Sequence, residues 1–390
     1  MISVNEALSA LFALAEPLDI ETVPLSQAAG RVLAVGATAE RDQPPFPASA
    51  MDGYALHSGR AQSGATYQII GKSAAGHGFN APVPDGACVR IFTGAPVPEG
   101  CDRIIIQEDV DRHGDKITLK ENLDTKFYVR AMGFDFARGQ TFHAPKLLGP
   151  NDVALLAAMN VPQVQVFRKP TVALISTGDE LVMPGEMPNP DQIIASNTFG
   201  LAAILRDIGA EVRVLPIARD TLQSLEQAFN LAADADVVVT IGGASVGDHD
   251  LVAEAAEKHG VQREFYKVAM RPGKPLMAGR LGHSMMVGLP GNPVSAMVCG
   301  KIFLTPVIRA LQGLPKEPAP RVRAKLSHPI SQNGPREHYM RAVHENGVVN
   351  VFERQDSALL SVLAASNALI VRAPHADALD ADAEVDVILL

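Results

Sequence analysis

Residues 172–180 read VALISTGDE, and this stretch decides the fold. Its apolar first half is typical of a strand buried on both faces of a parallel sheet, and STGDE follows as a loop. Further on, Leu201, Ile204, Leu205 and Ile208 recur at the spacing of one helix face. A buried strand, a polar loop and an amphipathic helix together predict the first unit of an α/β domain.

The same alternation continues to about residue 313. The sequence predicts strands at 211–217, 236–241, 265–268 and 285–289, and helices at 221–233, 251–258 and 293–311. Strands that alternate with helices indicate a parallel sheet with helices on both faces. We therefore assign residues 169–313 to a three-layer α/β domain.

The flanking regions have different patterns. Residues 43–135 contain short β-rich runs between turns rich in glycine and proline, which predicts an inserted β domain. Residues 1–42 and 136–168 are interpreted as one discontinuous helical linker domain around that insertion. Beyond a proline-rich linker, the short alternating segments of 314–390 predict a β-barrel-like domain. The expected fold is thus a multidomain α/β protein of four parts.

Composition excludes several classes of protein. With 34 Lys and Arg against 43 Asp and Glu, the net charge is −9, which disfavours nonspecific binding to nucleic acid. Hydrophobic residues make up 47% of the chain, enough for a packed protein. Charges or prolines interrupt the apolar stretches before 18 residues, so we expect no membrane contact. The apolar run at 7–15 has no Lys or Arg before it and predicts an amphipathic helix, not a secretory signal.

The cysteines and histidines indicate neither disulfides nor zinc. Cys88, Cys101 and Cys299 form no CxxC pair, and no HExxH pattern occurs among the histidines. We interpret the three cysteines as reduced packing residues of a cytoplasmic protein.

Three glycine-containing loops follow strands of the predicted sheet, at 177–180, 242–250 and 290–295. Ligands of open α/β sheets bind at the carboxyl ends of the strands, where these loops converge. Glycine lets the backbone approach an anion, and a helix N-terminus favours negative charge. The loops predict a phosphate-binding rim; the alternative is that the glycines merely end strands.

Two carboxylates on these loops, Glu180 and Asp250, would lie beside bound phosphates. Because acids near an anionic substrate require a bridging cation, they indicate a Mg²⁺ site. The alternatives are a solvated Glu180 and a helix-capping Asp250.

The segment at 267–275 reads KVAMRPGKP and carries Lys267, Arg271 and Lys274. Prolines stiffen the backbone here, so the cations are suited to holding an oxyanion. A solvated basic loop is the other interpretation.

Two nucleotide-binding motifs are only apparent. The GKS at 71–73 lacks the P-loop glycine, since Thr66 stands in its place, and the GGASVG at 242–247 is not GxGxxG. The rigid stretch PPFPASAMDGYA at 44–55 delivers Asp52 before a glycine, which on composition alone is an ordinary β-turn.

Six motifs nevertheless occur in one order along the chain. They are SAMDGYA at 49–55, IFTGAP at 91–96, STGDEL at 176–181, GGASVGD at 242–248, RPGKP at 271–275 and GLPGNPVS at 288–295. In this combination the chain resembles the molybdopterin molybdenumtransferase family, which includes bacterial MoeA and the E domains of plant homologues and of gephyrin. The resemblance covers essentially the whole chain.

The resemblance implies an activity and an assembly. Members insert molybdate into adenylylated molybdopterin with Mg²⁺-dependent loss of AMP. They are homodimers whose active cleft combines the α/β and C-terminal domains of one subunit with the β domain of the other. By this resemblance Asp52 lies across the subunit boundary from Glu180 and Asp250, which replaces the turn interpretation.

The resemblance also assigns roles to residues. The catalytic set is Asp52, Glu180, Asp220, Asp250, Lys267 and Lys274, with Glu180 and Asp250 as metal ligands. The substrate-binding set is Thr93, Arg130, Asp135, Thr177, Gly178, Asp179, Ser196, Asn197, Gly242, Gly243, Ser245, Gly247, Pro290, Gly291 and Asn292. The molybdate set is Arg271, Lys274, Ser295, Arg341 and Ser361. Some members have lysine where Arg271 stands, so the oxyanion grip here differs in geometry.

Three alternatives stay open at this point. Because the gephyrin branch anchors receptors, a non-catalytic pterin-binding scaffold is one. An adenylylating pterin enzyme is another, although its lone α/β domain would leave the other domains unexplained. Tungstate is a third, since it has nearly the size and charge of molybdate.

Overall fold

The computed structural model describes residues 1–243 and 251–390. Its first helix, α1 (Val4–Leu14), begins at a capping box in which Ser3 and Glu6 each accept a hydrogen bond from the other's backbone N–H. The buried face of α1 packs against the core of the α/β domain. It consists of Val4, Ala7, Leu8 and Leu11.

The remaining N-terminal elements alternate between the linker and the β domain. The linker strands are β1 (Ile20–Pro24), β2 (Val32–Leu33) and β3 (Ala37–Thr38). The β domain follows with β4 (Ala48–Ser49), β5 (Gly53–Leu56), β6 (Thr66–Ser73), β7 (Ala87–Ile91), β8 (Arg103–Ile106), β9 (Val110–His113), β10 (Lys116–Leu119) and β11 (Val129–Arg130). The chain then returns to the linker with β12 (Thr141–Phe142), β13 (Lys146–Leu147), α2 (Pro150–Ala158) and β14 (Gln163–Phe167).

The linker is more β-rich than the sequence suggested. Its main sheet has the order β1-β14-β2-β13, while β3 pairs with β12 and the β domain forms a separate six-stranded sheet, β8-β5-β7-β6-β10-β9. The QVQVF of β14 alternates polar and apolar residues, and its buried Val164 and Val166 show the period of a strand. The segments expected to be helical therefore hold one helix each, and only α2 packs within the linker core.

The α/β domain follows the predicted alternation. Its elements are β15 (Thr171–Ser176), β16 (Leu181–Val182), β17 (Ile193–Ile194), α3 (Asn197–Asp207), β18 (Glu211–Val214), α4 (Leu222–Leu231), β19 (Val237–Ile241), α5 (Leu251–Lys258), β20 (Gln262–Tyr266), β21 (Met270–Arg271), β22 (Met277–Leu281), β23 (Ser284–Leu289), α6 (Pro293–Cys299) and α7 (Thr305–Leu311). The sheet order is β18-β15-β19-β23-β22-β20, and the first four strands are parallel. The strand β22 runs antiparallel to both of its neighbours, β23 and β20, which the prediction of an all-parallel sheet missed.

A continuous helical run, Pro293–Leu311, joins α6 and α7 through a π-helical turn at Gly300–Leu304. By length and composition it could cross a membrane, contrary to the expectation that every apolar stretch ends before 18 residues. It contains only two charged residues, Lys301 and Arg309. However, 83% of its most apolar window is buried inside the protein, as in the core helix of a globular domain.

The C-terminal domain confirms the predicted barrel. Its elements are β24 (Val322–Leu326), β25 (Glu337–Glu345), β26 (Val348–Val351), α8 (Leu360–Ala364), β27 (Ala368–Arg372) and β28 (Glu384–Leu389). Five strands close in the order β25-β26-β24-β28-β27, because β27 also pairs with β25. The strand β21 of the α/β domain extends this sheet by pairing with the start of β25.

An ion pair joins the linker to the α/β domain. Arg168, after β14, donates from both terminal nitrogens to Asp236, before β19, at 2.7 and 2.6 Å. Thr171 adds its N–H and hydroxyl at 2.8 Å each. Burial raises the pKa of the Asp236 carboxyl, but these four donors outweigh it and hold the pKa below its ordinary value.

We expect Asp236→Asn to lower the free energy of unfolding by about 2–3 kcal/mol, because it leaves a partly buried arginine unpaired. Since the pKa is depressed, the wild-type contribution should persist above the ordinary pKa of Asp and disappear as pH falls through the folded-state value. Urea unfolding followed by circular dichroism at several pH values measures both effects. Asp234→Asn, whose ion pair with Arg213 is exposed, is the matched control and should lower the free energy of unfolding much less, because solvent screens that pair. Equal losses in the two variants would contradict this account.

Candidate functional site

A cavity of about 360 Å³ lies at the carboxyl ends of β15, β19 and β23, where the three predicted loops converge. Of the predicted substrate and metal residues, those that line it are Thr177, Glu180, Ser196, Asn197, Gly242, Pro290, Gly291 and Asn292. The sheet edge thus gathers side chains that are more than 100 residues apart in sequence.

Close packing of the loops explains their glycines. Gly242 has a φ of +95°, and a Cβ there would lie 2.7 Å from the carbonyl oxygen of Thr177. A Cβ on Gly243 would lie 2.2 Å from a methyl group of Val252. Glycine at both positions is therefore required by the neighbouring backbone and α5, and at Gly242 this close approach forms part of the cavity wall.

Asn197 connects two walls of the cavity. Its side-chain Nδ2 donates to the carbonyl oxygen of Gly291 at 2.7 Å, and it begins α3. Ser196 makes no side-chain capping bond there, so the first N–H groups of α3 have no side-chain cap. Such an end favours a phosphate or another anion.

The acidic residues do not all face the cavity. Glu180 lines it and is exposed; its backbone carbonyl accepts from the N–H of Ile193 at 2.7 Å, while its carboxylate forms no hydrogen bond or ion pair within the described part of the chain. Asp220 lies beside the same loop, since its backbone N–H donates to Asp179 Oδ1 at 3.2 Å, but neither of these two lines the cavity. Asp250, Ser245 and Gly247 fall outside the described residues.

The chemistry of Glu180 fits a magnesium ion. Mg²⁺ is held in proteins by one or two carboxylates together with phosphate oxygens, and Glu180 offers a carboxylate that no cation of the described residues pairs with. Residues 1–243 and 251–390 contain no group of three or more His, Cys, Asp or Glu side chains suited to a metal.

The cationic segment lies between the α/β domain and the barrel. Arg271, at the end of β21, and Lys274 are both exposed, and the adjacent Pro275 lines the cavity. Gly273 has a φ of +112°, and a Cβ there would lie 2.5 Å from Cys299 Sγ, so only glycine fits this bend. Lys267 has its Nζ 4.9 Å from the ring centre of Tyr266.

Arg341 is the buried end of this cationic region. Its side chain is fully buried, and Nη2 donates to the carbonyl oxygen of Asp356 at 3.1 Å. Nε and Nη1 have no hydrogen-bond partner among residues 1–243 and 251–390. Burial and the nearby Arg271 lower the pKa of Arg341 to about 10, so the group remains cationic at neutral pH. A buried cation with two unsatisfied nitrogens is costly unless an anion binds it.

The backbone that Arg341 holds also contacts the cavity. The hydroxyl of Ser357, next to Asp356, accepts from Asn292 Nδ2 at 3.2 Å, and its carbonyl accepts from the N–H of Val294 at 3.1 Å. Ser295 is buried on α6, and Ser361 is exposed on α8, which packs against α6. The cavity and the Arg341 region are thus neighbours across residues 355–357.

Sequence reasoning missed three further residues of this region. Arg336, His338 and Arg372 act on the same charged cluster, since the pKa of His338 is lowered by burial and by these arginines together with Arg271 and Arg341. Only the pairing of β21, β25 and β27 brings them together. The sequence signal that could have indicated these three residues is a basic or imidazole side chain within or next to a predicted strand.

The predicted residues of the β domain lie elsewhere in the chain. Asp52 Oδ1 accepts from the N–H of Thr93 at 2.7 Å and from its hydroxyl at 2.8 Å. Arg130 and Asp135 line a separate cavity of about 710 Å³, and none of these four lines the α/β cavity.

Comparison with known proteins decides the family. Models described as the MoeA N-terminal region (domains I and II), a probable molybdopterin-binding domain and the MoeA C-terminal region (domain IV) match residues 2–160, 173–310 and 323–390. A molybdopterin molybdenumtransferase of Haemophilus influenzae is 35% identical, over 95% of this chain and 94% of that protein. One from a Nostoc species is 35% identical, over 87% of this chain and 81% of that protein.

The chain belongs to the molybdopterin molybdenumtransferase family. A crystal structure of a MoeA protein from Pyrococcus horikoshii superimposes with a TM-score of 0.86 at 27% identity, covering 100% of both chains. Another structure of the MoeA protein from that organism gives a TM-score of 0.83 at 29% identity, over 100% of this chain and 99% of that one. The multidomain α/β architecture is therefore that of the family throughout.

The hydrogen bonds to Asp52 predict how the pKa of its carboxyl changes when Thr93 is substituted. The backbone N–H and then the hydroxyl of Thr93 lower the pKa of the Asp52 carboxyl below its ordinary value. Thr93→Val removes the hydroxyl but keeps the N–H, so the pKa should rise part of the way back. Carboxyl carbon NMR titration measures it, and Thr66→Val, which removes a hydroxyl paired with Thr118 in the same domain, should leave it unchanged. An unaltered Asp52 titration in Thr93→Val would contradict the assignment.

Proposed function

We propose that this protein inserts molybdate into adenylylated molybdopterin, with Mg²⁺-dependent release of AMP, in the last step that forms the molybdenum cofactor. The observation that carries the proposal is the buried Arg341, a cation with two unsatisfied nitrogens, beside the polar cavity of the α/β domain. An oxyanion site and a nucleotide site in contact are what such an insertion requires.

The cavity would bind the pterin nucleotide. The lining residues Thr177, Gly242, Ser196 and Asn197 would contact the pterin and its phosphates, with the loop of Pro290, Gly291 and Asn292 on the opposite wall. Gly178 and Gly243 do not line the cavity themselves and would contribute through the backbone next to Thr177 and Gly242. Backbone N–H groups at the start of α3 would attract the phosphates without adding further cations. The bond between Asn197 and Gly291 would keep the two walls at a fixed separation.

Glu180, together with Asp250, would hold the Mg²⁺. When bound, the ion would neutralise phosphate oxygens and stabilise the charge that grows on AMP as it leaves. Asp179 and Asp220 would act from beside the ion, because they adjoin the Glu180 loop without lining the cavity. The Glu180 carboxylate suits this role because it pairs with no cation among the residues that the structure describes.

The cationic region would hold molybdate next to the pterin. Arg341 would donate to the anion from the protein interior through Nε and Nη1. The exposed Arg271 and Lys274 would bind the same anion from the solvent side. Ser295 and Ser361, on packed helices, would donate hydroxyl hydrogen bonds. Lys267 would contribute positive charge at the entrance.

We further propose that the protein acts in the cytoplasm as a homodimer whose second subunit completes the site. Asp52, Thr93, Arg130 and Asp135 would then come from the partner's β domain. Two facts support this: these residues line no part of the α/β cavity in their own chain, and Thr93 fixes the Asp52 carboxylate. Asp52 would orient or polarise the bound nucleotide from across the boundary.

The decisive assay mixes purified protein with adenylylated molybdopterin, Mg²⁺ and molybdate, and quantifies AMP and pterin-bound molybdenum. Release of AMP that depends on both ions supports the enzyme. Bound pterin without AMP release would instead favour a scaffold. A parallel reaction with tungstate determines whether the site separates the two oxyanions.

Removing the charge of the proposed metal ligand tests the Mg²⁺ site. Glu180→Gln should slow AMP release by at least about 100-fold, because the transition-state charge loses its metal, whereas pterin binding should change little. Glu186→Gln removes a nearby exposed carboxylate that only caps the N–H of Met183, and should react as the wild type does. AMP release at the wild-type rate in Glu180→Gln would refute the metal assignment.

Removing a cation of the oxyanion site should act on molybdate and not on the nucleotide. We expect Lys274→Ala to raise the molybdate concentration for half-maximal insertion about tenfold, which corresponds to one charge-assisted hydrogen bond. Lys325→Ala, on an exposed barrel position, is the control. If Lys274→Ala alters nucleotide affinity but not molybdate dependence, the placement of the oxyanion is wrong.

A further inference from the structure

His338 lies where strands from two domains meet. In the extended barrel sheet it is paired with Arg271 of β21 on one side and with Arg372 of β27 on the other. Residues paired directly across neighbouring strands point their side chains to the same face. The imidazole therefore lies between two guanidinium groups, one of which belongs to the proposed oxyanion site.

This face is buried and incompletely hydrogen-bonded. His338 is 7% exposed and Arg372 is 3% exposed. Within the described part of the chain, His338 Nε2 and Arg372 Nη1 have no hydrogen-bond partner, and the same holds for Nε and Nη1 of Arg341. Four unsatisfied nitrogen atoms in one charged cluster exceed what folded proteins ordinarily tolerate without a ligand.

The charges around His338 are overwhelmingly positive. Arg271 faces it from β21, Arg372 from β27, and Arg336 and Arg341 from the segment that contains β25. Among the described residues, the acidic groups that act on these arginines are Asp356, near Arg341, and Asp377, near Arg372. In the absence of an anion, burial and these four arginines lower the pKa of His338 to about 4, so the imidazole is neutral at neutral pH.

We propose that His338 is a further oxyanion-binding residue, and that it takes up a proton when a tetrahedral dianion such as molybdate binds. The inference rests on the proposed oxyanion site and adds to it a residue outside the motifs that define the family. A dianion among the arginines cancels the positive potential that keeps the imidazole neutral, and it offers an oxygen to the new N–H. Each binding event takes up one dianion and one proton from the solvent, and it forms one hydrogen bond from the imidazolium to an oxygen of the anion.

The sign of the pH dependence follows from linkage. The free protein has lost this proton above about pH 4, whereas the complex keeps it to a higher pH. Between the two values, binding consumes a proton, so molybdate affinity falls as pH rises, by up to about tenfold per pH unit. Arg341, with a pKa of about 10, keeps its charge between pH 6 and 8 and does not produce this dependence.

Calorimetric titration of the purified full-length protein with sodium molybdate tests the proposal. Titrations at pH 6, 7 and 8, each in two buffers of different protonation enthalpy, give both affinity and the number of protons taken up. We expect uptake approaching one proton at pH 6 and weaker binding at pH 8. His338→Gln keeps a hydrogen-bonding side chain without the titration, so it should abolish both the uptake and the pH dependence.

His344→Gln is the matched control. It removes a histidine from the same strand, at a position whose backbone pairs with Asn367 and Val349 away from the cluster, and it should retain the uptake. The imidazole carbon NMR signal of His338 in wild-type protein, with and without molybdate, gives the same answer without any variant that must fold.

The outcomes separate this proposal from the proposed function. Molybdate binding without proton uptake, or uptake that persists in His338→Gln, overturns the role of His338 alone. No molybdate binding by the wild type overturns the oxyanion site and His338 together. Normal binding and uptake without AMP release leave His338 confirmed and count against the insertion reaction.

Discussion

The site depends on one backbone pairing, in which β21 of the α/β domain joins the sheet of the C-terminal barrel. Met270 and Arg271 pair in register with Glu337 and His338, so two domains share one hydrogen-bonded sheet. This pairing places the cationic loop, which is covalently part of the α/β domain, beside the buried arginines of the barrel. A rigid sheet holds charged groups at fixed separations more accurately than two domains in loose contact would.

The same pairing explains why charges remain unsatisfied within the fold. The described acidic residues beside the arginine cluster are Asp356 and Asp377, and it is their backbone carbonyl oxygens that accept from Arg341 and Arg372. The cluster thus keeps net positive charge and free N–H groups in a chain whose overall charge is −9. Because the energetic cost of such a cluster falls when an anion binds, the fold is built to favour the anion-bound state.

The sequence predicted what depends on local pattern and missed what depends on distant pairing. The apolar run VALIS and the periodic helices gave the α/β domain, and the glycine loops gave the cavity with Glu180 and Asn197 on its walls. The antiparallel β22 was missed because Met277–Leu281 has no clear alternation and contains a glycine. The linker strands are not distinguishable from helix in the sequence, because segments this short do not show a clear periodicity.

The arginine and histidine cluster could not be predicted for a different reason. His338 and Arg372 are 34 positions apart in sequence and belong to strands that are neither consecutive nor joined by a tight turn. Their proximity to Arg271 requires a strand from another domain. No periodicity reports such a contact, whereas Arg341 was identified only because its surroundings resemble those of a known family.

The fold keeps two charged side chains of the site, Glu180 and Arg341, apart from each other. Glu180 and Arg341 would form an ion pair if the fold let them meet, and neither would then attract a ligand. Instead, Glu180 lines the cavity, Arg341 is buried beneath the barrel loop, and uncharged atoms of Asn292 and Ser357 form the boundary between them. Each charge therefore remains available for a ligand of opposite sign: a cation for the carboxylate and an oxyanion for the guanidinium. Under the proposed function, Mg²⁺ at Glu180 and molybdate at Arg341 would then occupy neighbouring sites, which is the arrangement that the proposed insertion needs.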